Sequence, residues 1–275
     1  MEERLRDPHA LIEHVMAALH VANRDESLFP EGILTSAATS AVLFLLGERS
    51  HHGGLSPEPS MVFSKRSRMV RQPGDLCFPG GRISTQLDSY ASNLLRLPFM
   101  PLTRWPYWPH WRELREKEAR QIRVLLTTAL RESFEEMRLN PFTVRFLGPM
   151  PSQPLEMFQR ILCPMVVWIH QRRFLPNWEV ERLVHIPIRN LLEPSNYACY
   201  RILFKMGRGG VENQSTEDFP CFRHLGGKEQ EVLWGVTYRI VMVFLEIVFN
   251  FRPPEITSLP VIHEVLDDRY LNGSG

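Results

Sequence analysis

Apolar residues near the start of the chain recur every three to four positions. They are Leu11, Ile12, Val15, Met16, Leu19 and Val21. This spacing predicts a helix over residues 8 to 22. The most apolar window is residues 232 to 251, which contains Arg239 and Glu246. Because charges at bilayer depth are costly, we interpret this window as a core helix and not as a membrane span.

Shorter apolar runs predict strands. Residues 40 to 48 (SAVLFLLGE) and 61 to 67 (MVFSKRS) are separated by a loop rich in His, Gly, Ser and Pro, which indicates a β-hairpin. The following PGDLCFPGGRIS predicts a strand that ends in a tight turn at Gly80 and Gly81. Further strands are expected at VRFLGPM and RILCPMVVWIH, and HIPIRNLL predicts a strand that leads into a short helix.

Residues 89 to 126 have an unusual composition, with four prolines and, at Trp105, Trp108 and Trp111, three tryptophans. The proline-rich half cannot be a regular helix, whereas the half after Pro109 is rich in helix-forming residues. We interpret this segment as an insertion. Its tryptophans either stack on a nucleobase or pack onto the domain or a second subunit, and a homodimer interface is the favoured hypothesis.

The alternation of helix and strand patterns predicts a mixed α/β or α+β domain. Among the 275 residues, 44% are hydrophobic, which is ample for a large core. The expected organisation is an N-terminal helical extension at residues 1–34, one main domain at 35–252 and a C-terminal tail at 253–275.

The near-neutral charge of the chain argues against nucleic acid and against an anionic membrane as partners. The chain has 32 Lys and Arg against 31 Asp and Glu, so no overall field favours nucleic acid or an anionic membrane. The four cysteines, at positions 77, 163, 199 and 221, have no C-x-x-C spacing. This pattern is typical of a reducing compartment and predicts a cytoplasmic protein without structural zinc.

Three glutamates, Glu132, Glu135 and Glu136, lie within the ten residues TALRESFEEM. The apolar side chains around them recur at helical spacing and should form one buried stripe, namely Leu126, Leu130, Phe134 and Met137. The glutamates then share another face, where like charges repel. Solvent, nearby cations or a bound metal must offset this repulsion. Converging carboxylates suit Mg²⁺ or Mn²⁺, and the alternative is a solvated helix face.

The stretch from FPGG to RESFEEMRL resembles the signature of the Nudix hydrolases, G-x5-E-x7-R-E-U-x-E-E-x-G-U, where U is a bulky apolar residue. The resemblance implies a Nudix fold, an α/β/α sandwich around a mixed sheet, and a metal-dependent pyrophosphohydrolase. It assigns Mg²⁺ or Mn²⁺ to Glu132, Glu135 and Glu136, and it makes Arg131 the residue that orients them. Gly80 and Gly81 would approach the substrate. Glu132 is the candidate acceptor of the proton from the attacking water.

Two positions depart from this signature. Arg123 stands where the family has its first glutamate, and Arg138 stands where the family has a glycine that caps the helix. Asp88 and Glu118 are both candidates to replace the missing carboxylate. The insertion at about 89–126 accounts for the altered spacing.

The flanking sequence is similar to the coenzyme A pyrophosphatase branch of the family. The similar elements are the basic run VFSKRSRMVRQPGDLCFPGG and the later WGVTYRIV. This similarity implies coenzyme A or an acyl-coenzyme A as the substrate, with Arg66, Arg68 and Arg71 as its phosphate contacts. The alternatives are a dinucleotide, a nucleotide sugar, or an inactive Nudix-fold module that only binds its ligand.

A further carboxylate is expected from the segment NWEVERLVHIPIRNLL. Glu179 or Glu181 would supply it, and we include Glu181 as a possible fourth metal ligand. The alternative is an ordinary surface strand with alternating charge.

Overall fold

The computed structural model describes residues 5–24, 27–49, 58–155, 160–171, 173–208, 211–226 and 229–272. The helices are α1 (Pro8–Ala22), α2 (Thr85–Ala91), α3 (Trp108–Leu114), α4 (Glu116–Met137), α5 (Ile188–Leu191), α6 (Gly235–Phe249) and α7 (Asp268–Asn272). The strands are β1 (Thr39–Arg49), β2 (Glu58–Arg66), β3 (Leu76–Cys77), β4 (Gly80–Arg82), β5 (Val144–Pro149), β6 (Gln153–Leu155), β7 (Arg160–Ile169), β8 (Val180–Pro187), β9 (Tyr197–Arg208), β10 (Val211–Leu225), β11 (Gln230–Leu233) and β12 (Val261–Asp267).

The larger sheet has eight strands and is built around β1. This strand pairs antiparallel with β2 and β4 and parallel with β7. Strands β3 and β8 extend the sheet from β2, while β5 and β6 pair with β7. The mixed sheet and the α/β class that the sequence predicts are therefore confirmed, and so is the hairpin of β1 and β2. The loop of this hairpin, residues 50–57, lies outside the described residues.

Helices cover both faces of this sheet. Ala41 of β1 pairs with Gly81 of β4, and a side chain at Gly81 would meet Glu132 of α4, so α4 lies on that face. Phe44 points to the other face because side chains alternate along a strand. It stacks on Phe244 of α6 with 4.6 Å between ring centroids. The sheet thus lies between α4 and α6, as a sandwich requires.

The smaller sheet has the strand order β11-β10-β9-β12 and was not expected from the sequence. Its last strand, β12, pairs parallel with β9 and comes from residues 253–275, which the sequence analysis describes as a tail. That description is wrong for β12 and α7. At the other end of the chain, α1 contacts α6 and β5 and buries Leu11, Val15 and Leu19 in the main core, so the predicted helical extension is part of the domain.

Helix α4 begins at Glu116 and runs without a break to Met137. The part of the unusual segment after Pro109 is therefore helical, in α3 and the first half of α4, as its composition predicts. Of the predicted apolar stripe, Leu126, Leu130 and Met137 are buried, whereas Phe134 is 46% exposed. The helix ends at Arg138, which adopts the left-handed conformation that glycine usually supplies, with φ 57°.

The three tryptophans of the insertion lie in the core of the chain. Trp105, Trp108 and Trp111 are 2%, 8% and 1% exposed. The Trp105 indole N–H donates to the carbonyl of Leu147 at 3.1 Å, and its ring packs edge-on against Phe146. Rings with so little exposed surface cannot stack on a nucleobase or form a subunit interface, so those two hypotheses are wrong for these rings, and the alternative that they pack onto the domain is confirmed. The window at residues 232–251 forms α6 as predicted, and among the described residues no helix has the length and apolar character to cross a bilayer.

Replacement of Trp105 by Ala should destabilise the protein by about 3–5 kcal/mol, because it opens a cavity in the core and leaves the Leu147 carbonyl without its donor. Chemical denaturation measures this loss as a lower midpoint with an unchanged slope. Trp178→Ala is the matched control, since Trp178 is 62% exposed. Equal midpoints for the two variants would contradict the packing described here.

Candidate active site

The centre of the candidate site is an ion pair between Asp88 of α2 and Arg131 of α4. The Arg131 Nε donates to Asp88 at 2.8 Å, and the Asp88 side chain is fully buried. The same carboxylate accepts hydrogen bonds from the Ser84 backbone N–H at 2.7 Å and from the Thr128 hydroxyl at 2.9 Å. These bonds offset the cost of burying the charge. They also join the segment after β4 to the middle of α4.

Of the two predicted replacements for the missing carboxylate, only Asp88 lies beside Arg131. Glu118 forms an ion pair with Arg115 and accepts a hydrogen bond from the Leu28 backbone N–H at 3.1 Å, in another part of the fold. Asp88 orients the arginine and does not reach the cavity described below. Arg123, which stands where the family has its first glutamate, has a pKa lowered by burial and by the charges of Arg96 and Arg120.

Arg131 also neutralises two of the three glutamates. Its guanidinium lies 2.9 Å from Glu132 and 3.2 Å from Glu135, and it donates to the Arg82 carbonyl at 3.2 Å. The hydrogen bond to Asp88 is the main cause that raises the pKa of Arg131. The guanidinium of Arg131 therefore offsets a large part of the repulsion among the glutamates.

Glu136 is the least compensated of the three glutamates. Its carboxylate accepts a hydrogen bond from the Gly80 backbone N–H at 3.1 Å. The pKa of Glu136 is raised to about 8, chiefly by burial and also by the nearby charges of Glu132 and Glu179, while the Gly80 N–H and Arg66 oppose the shift. Burial also raises the pKa of Glu132, against the effect of Arg131. A positive charge near Glu136 would relieve this unfavourable electrostatic energy.

Gly80 and Gly81 form strand β4 and not the tight turn that the sequence predicted. Both positions require glycine because of close approach. A Cβ at Gly80 would lie under 3.0 Å from the Ala41 carbonyl and the Val42 Cα, and a Cβ at Gly81 would lie under 3.0 Å from the Glu132 carboxylate. The two glycines therefore allow β4 to pair closely with β1 and Glu132 to lie directly on the strand.

Glu136 opens onto a cavity of about 520 Å³. One wall is formed by the larger sheet, through Ser40, Val42 and Leu162, and the opposite wall by residues around the start of α6. Aromatic side chains from three separate segments line it, namely Phe219, Trp234 and Tyr270. Cationic side chains line it as well, namely Arg66, Arg71, Arg160 and Arg239. A cavity with carboxylates, guanidiniums and aromatic rings has the lining that a large phosphorylated ligand requires.

Two of the three arginines that the sequence predicted as phosphate contacts line the cavity. Arg66 and Arg71 line the cavity, with the Arg66 Nε donating to the Arg71 carbonyl at 2.7 Å, whereas Arg68 is exposed and does not line it. Of the two carboxylates considered on the later segment, Glu179 lines the cavity. Glu181 is outside it, 3.9 Å from Lys65 and 3.8 Å from Arg182, so the structure does not bring the predicted fourth ligand to the site.

A second polar cluster in the cavity was missed. Asp75 accepts hydrogen bonds from the Tyr270 hydroxyl at 2.6 Å and from the Trp234 indole N–H at 3.1 Å. Burial raises the pKa of Asp75 to about 6, against the effect of these two donors. Asp75 and Trp234 lie in segments that resemble the coenzyme A branch, which is a usable signal. Tyr270 comes from α7 and has no local signal, and Arg160 and Arg239 likewise follow no motif.

The carboxylates have the chemistry that a hard divalent cation requires, because they offer charged oxygen donors near a cavity. Their arrangement is not that of a complete coordination shell. Across the described residues, no three His, Cys, Asp or Glu side chains are close enough together to hold a metal ion. Glu132 and Glu135 are paired with Arg131, and Glu136 lies beside Glu179. The donor set fits Mg²⁺ or Mn²⁺ when water and substrate oxygens complete the shell.

No family model matches the sequence, and a search of curated proteins finds no significant match. Similar solved structures include a C. elegans Ap4A hydrolase, with 10% identity, a TM-score of 0.33, and coverage of 56% of this chain and 83% of that chain. The NUDIX domain of Shewanella oneidensis NrtR, solved with ADP ribose, has 14% identity, a TM-score of 0.33, and coverage of 63% and 84%. A MutT/nudix family protein from Enterococcus faecalis has 10% identity, a TM-score of 0.37, and coverage of 89% and 75%. At these identities and TM-scores, function has to be inferred from the side chains of the site.

Replacing each of the two glycines of β4 by Ala should have different effects. At Gly80 the new methyl group meets backbone atoms that cannot move away, so the variant should lose on the order of 2 kcal/mol or more of stability. At Gly81 it meets a side chain that can rotate, so the fold should persist while Glu132 is displaced. Thermal melts with and without Mg²⁺ measure both effects. Gly81→Ala should lose any stabilisation by Mg²⁺, and an unaltered Mg²⁺ response would contradict the close approach of Glu132.

Glu136 should make the metal-free protein less stable as pH rises. Its pKa is raised from 4.5 to about 8 in the folded state, so the folded protein binds more protons than the unfolded chain between these values, and stability falls as pH rises through this window. Glu136→Gln should remove that loss and should melt at a higher temperature than wild type at pH 8.5 but not at pH 5. Glu135→Gln, whose side chain is 53% exposed, is the control. Parallel pH profiles for wild type and Glu136→Gln would contradict the prediction.

Proposed function

We propose that this protein is a Nudix-type pyrophosphohydrolase that cleaves the diphosphate bond of a nucleoside diphosphate derivative with Mg²⁺ or Mn²⁺. The observation that carries the proposal is the position of Glu136. Its carboxylate is partly buried and poorly neutralised, and it lines a cavity that is also lined by four guanidiniums and several aromatic rings. This combination favours a ligand with a phosphate-rich part and a flat apolar part.

The cation would be held by Glu132, Glu135 and Glu136 of α4. When bound, it would neutralise the diphosphate, polarise phosphorus and lower the pKa of the attacking water. Asp88 and Arg131 keep these carboxylates at the end of β4. The Gly80 N–H, which donates to Glu136, fixes the orientation of the carboxylate nearest the cavity.

Glu179 is a better candidate than Glu132 to accept the proton of the attacking water. It lines the cavity beside Glu136, whereas Glu132 does not line it and is paired with Arg131 at 2.9 Å. A general base must be within reach of the water that it deprotonates, so the position of Glu179 on the cavity wall favours it over Glu132.

Arg66 is the candidate diphosphate contact, since it is the guanidinium whose charge acts on Glu136. Trp234, Phe219 and Tyr270 offer aromatic surfaces for a nucleobase. The ring centroids of Phe219 and Tyr270 lie 5.5 Å and 6.2 Å from that of Trp234. Coenzyme A or an acyl-coenzyme A is the leading substrate, in agreement with the sequence around the basic run. A dinucleotide or a nucleotide sugar is the alternative among enzyme substrates.

A second candidate function is a binding module of the same fold without hydrolysis. The observation that favours it is the pairing of Glu132 and Glu135 with Arg131, which leaves Glu136 as the α4 carboxylate that reaches the cavity. The enzyme hypothesis is stronger because an inactive site gains nothing from a partly buried, uncompensated Glu136 beside Glu179.

Purified protein should hydrolyse coenzyme A with Mg²⁺ or Mn²⁺ and lose this activity with chelator. Glu136→Gln and Glu179→Gln should each lower kcat/KM by about 100-fold or more, because the first weakens cation binding and the second removes the proton acceptor. Glu181→Gln is the matched control, since it lies two residues from Glu179 but outside the cavity, and it should react at a rate close to that of wild type. Chromatographic detection of the two phosphomonoester products from each member of a panel of coenzyme A, dinucleotides and nucleotide sugars measures the activity. Ligand binding without turnover of any member of the panel would favour the binding module.

A further inference from the structure

Three arginines from separate segments lie close together at the cavity, two in its lining and the third near them. They are Arg71 from the loop before β3, Arg82 at the end of β4 and Arg160 at the start of β7. Arg71 and Arg160 line the cavity directly. Among the described residues, no carboxylate forms an ion pair with any of the three. Three guanidiniums together without an anion form an unfavourable arrangement unless a bound anion compensates it.

Strand register brings Arg82 and Arg160 to the same side of the sheet. Ser40 of β1, which lines the cavity, pairs with Arg82 on one side and with Leu162 on the other. Paired residues share a face, and Arg160 shares the face of Leu162 because it lies two positions earlier on the same strand. Both side chains therefore leave the sheet on the face that the cavity occupies, on either side of β1.

The positive charges of Arg71 and Arg82 act on Arg160 and disfavour its charged form. The pKa of Arg160 is lowered by burial and then by the charges of Arg82 and Arg71. The electrostatic neighbours of Glu136 are different, since its pKa responds to Arg66, Glu132 and Glu179. The charge of Arg66 thus acts on Glu136, whereas the charges of Arg71 and Arg82 act on Arg160.

We infer that Arg71, Arg82 and Arg160 form a binding site for a phosphomonoester of the same substrate whose diphosphate lies near Glu136. This inference rests on the proposed function and specifies its substrate class. A terminal phosphomonoester has up to two negative charges and three acceptor oxygens, which suits several guanidiniums at once. Coenzyme A has such a group on its ribose, whereas ADP-ribose, nucleotide sugars and 3'-dephospho-coenzyme A do not. The site would therefore select substrates that contain a third phosphate.

The first test compares coenzyme A with 3'-dephospho-coenzyme A, which differ only in this phosphate. Wild type should have a kcat/KM at least about tenfold higher for coenzyme A, as expected for charge-assisted hydrogen bonds to a phosphate. Arg160→Gln and Arg71→Gln should bring this ratio toward one. Arg112→Gln removes an exposed guanidinium of α3, far from the cavity lining, and should keep the wild-type ratio. Equal kcat/KM values for the two substrates with wild type would overturn the inference and leave the proposed function intact.

The second test does not depend on hydrolysis. Calorimetric titration of wild type without metal should find adenosine 3',5'-bisphosphate bound at least about tenfold more tightly than AMP, and Arg160→Gln should remove the difference. This result would support the phosphate site even if no substrate were hydrolysed. No preference over AMP would overturn the inference. Inorganic phosphate that binds as tightly as adenosine 3',5'-bisphosphate would also overturn it, because the arginines would then hold a free anion and not a group of the substrate.

Discussion

The site depends on one buried ion pair, between Asp88 and Arg131. A carboxylate without solvent contact is tolerated only when its charge is paired and its oxygens accept hydrogen bonds, and Asp88 meets both conditions through Arg131, Thr128 and Ser84. The pair fixes α4 against the chain that follows β4. Every proposed cation ligand of α4 lies within five residues of Arg131, so the rotation and depth of the helix at this point decide where all three carboxylates lie.

Close approach of the backbone completes the arrangement. With hydrogen atoms in place of side chains at Gly80 and Gly81, β4 lies against β1 and Glu132 lies against β4. The result concentrates negative charge in a partly buried position, which stability alone would not favour. Conflicts of this kind between local electrostatics and stability are typical of functional sites. The raised pKa of Glu136 is one consequence of this arrangement, and the open side of its carboxylate faces the cavity.

The cavity is assembled from parts of the chain that are far apart in sequence. Asp75 precedes β3, Trp234 precedes α6 and Tyr270 belongs to α7, yet hydrogen bonds of 3.1 Å and 2.6 Å join all three. The parallel pairing of β12 with β9 leads the chain to α7 and so brings the last of these residues to the site. The Pro- and Trp-rich segment has a structural role and does not form part of the cavity. It fills the core beside β5 with Trp105 and Trp111 and contributes no residue to the cavity lining.

The sequence by itself determined the local helices and strands of this protein and the group of charged residues on α4. Apolar patterns predicted α1 and α6, the hairpin of β1 and β2, and the shared helix face of Glu132, Glu135 and Glu136, and the resemblance to the Nudix signature added Arg131, because these features depend on residues close together in the chain. Only the tertiary structure decided that Asp88 and not Glu118 pairs with Arg131, that Glu179 and not Glu181 lines the cavity, and that Arg160 and Tyr270 belong to it. Those choices depend on strand register and on contacts across long sequence separations, and a shift of one residue along a strand turns a side chain to the opposite face.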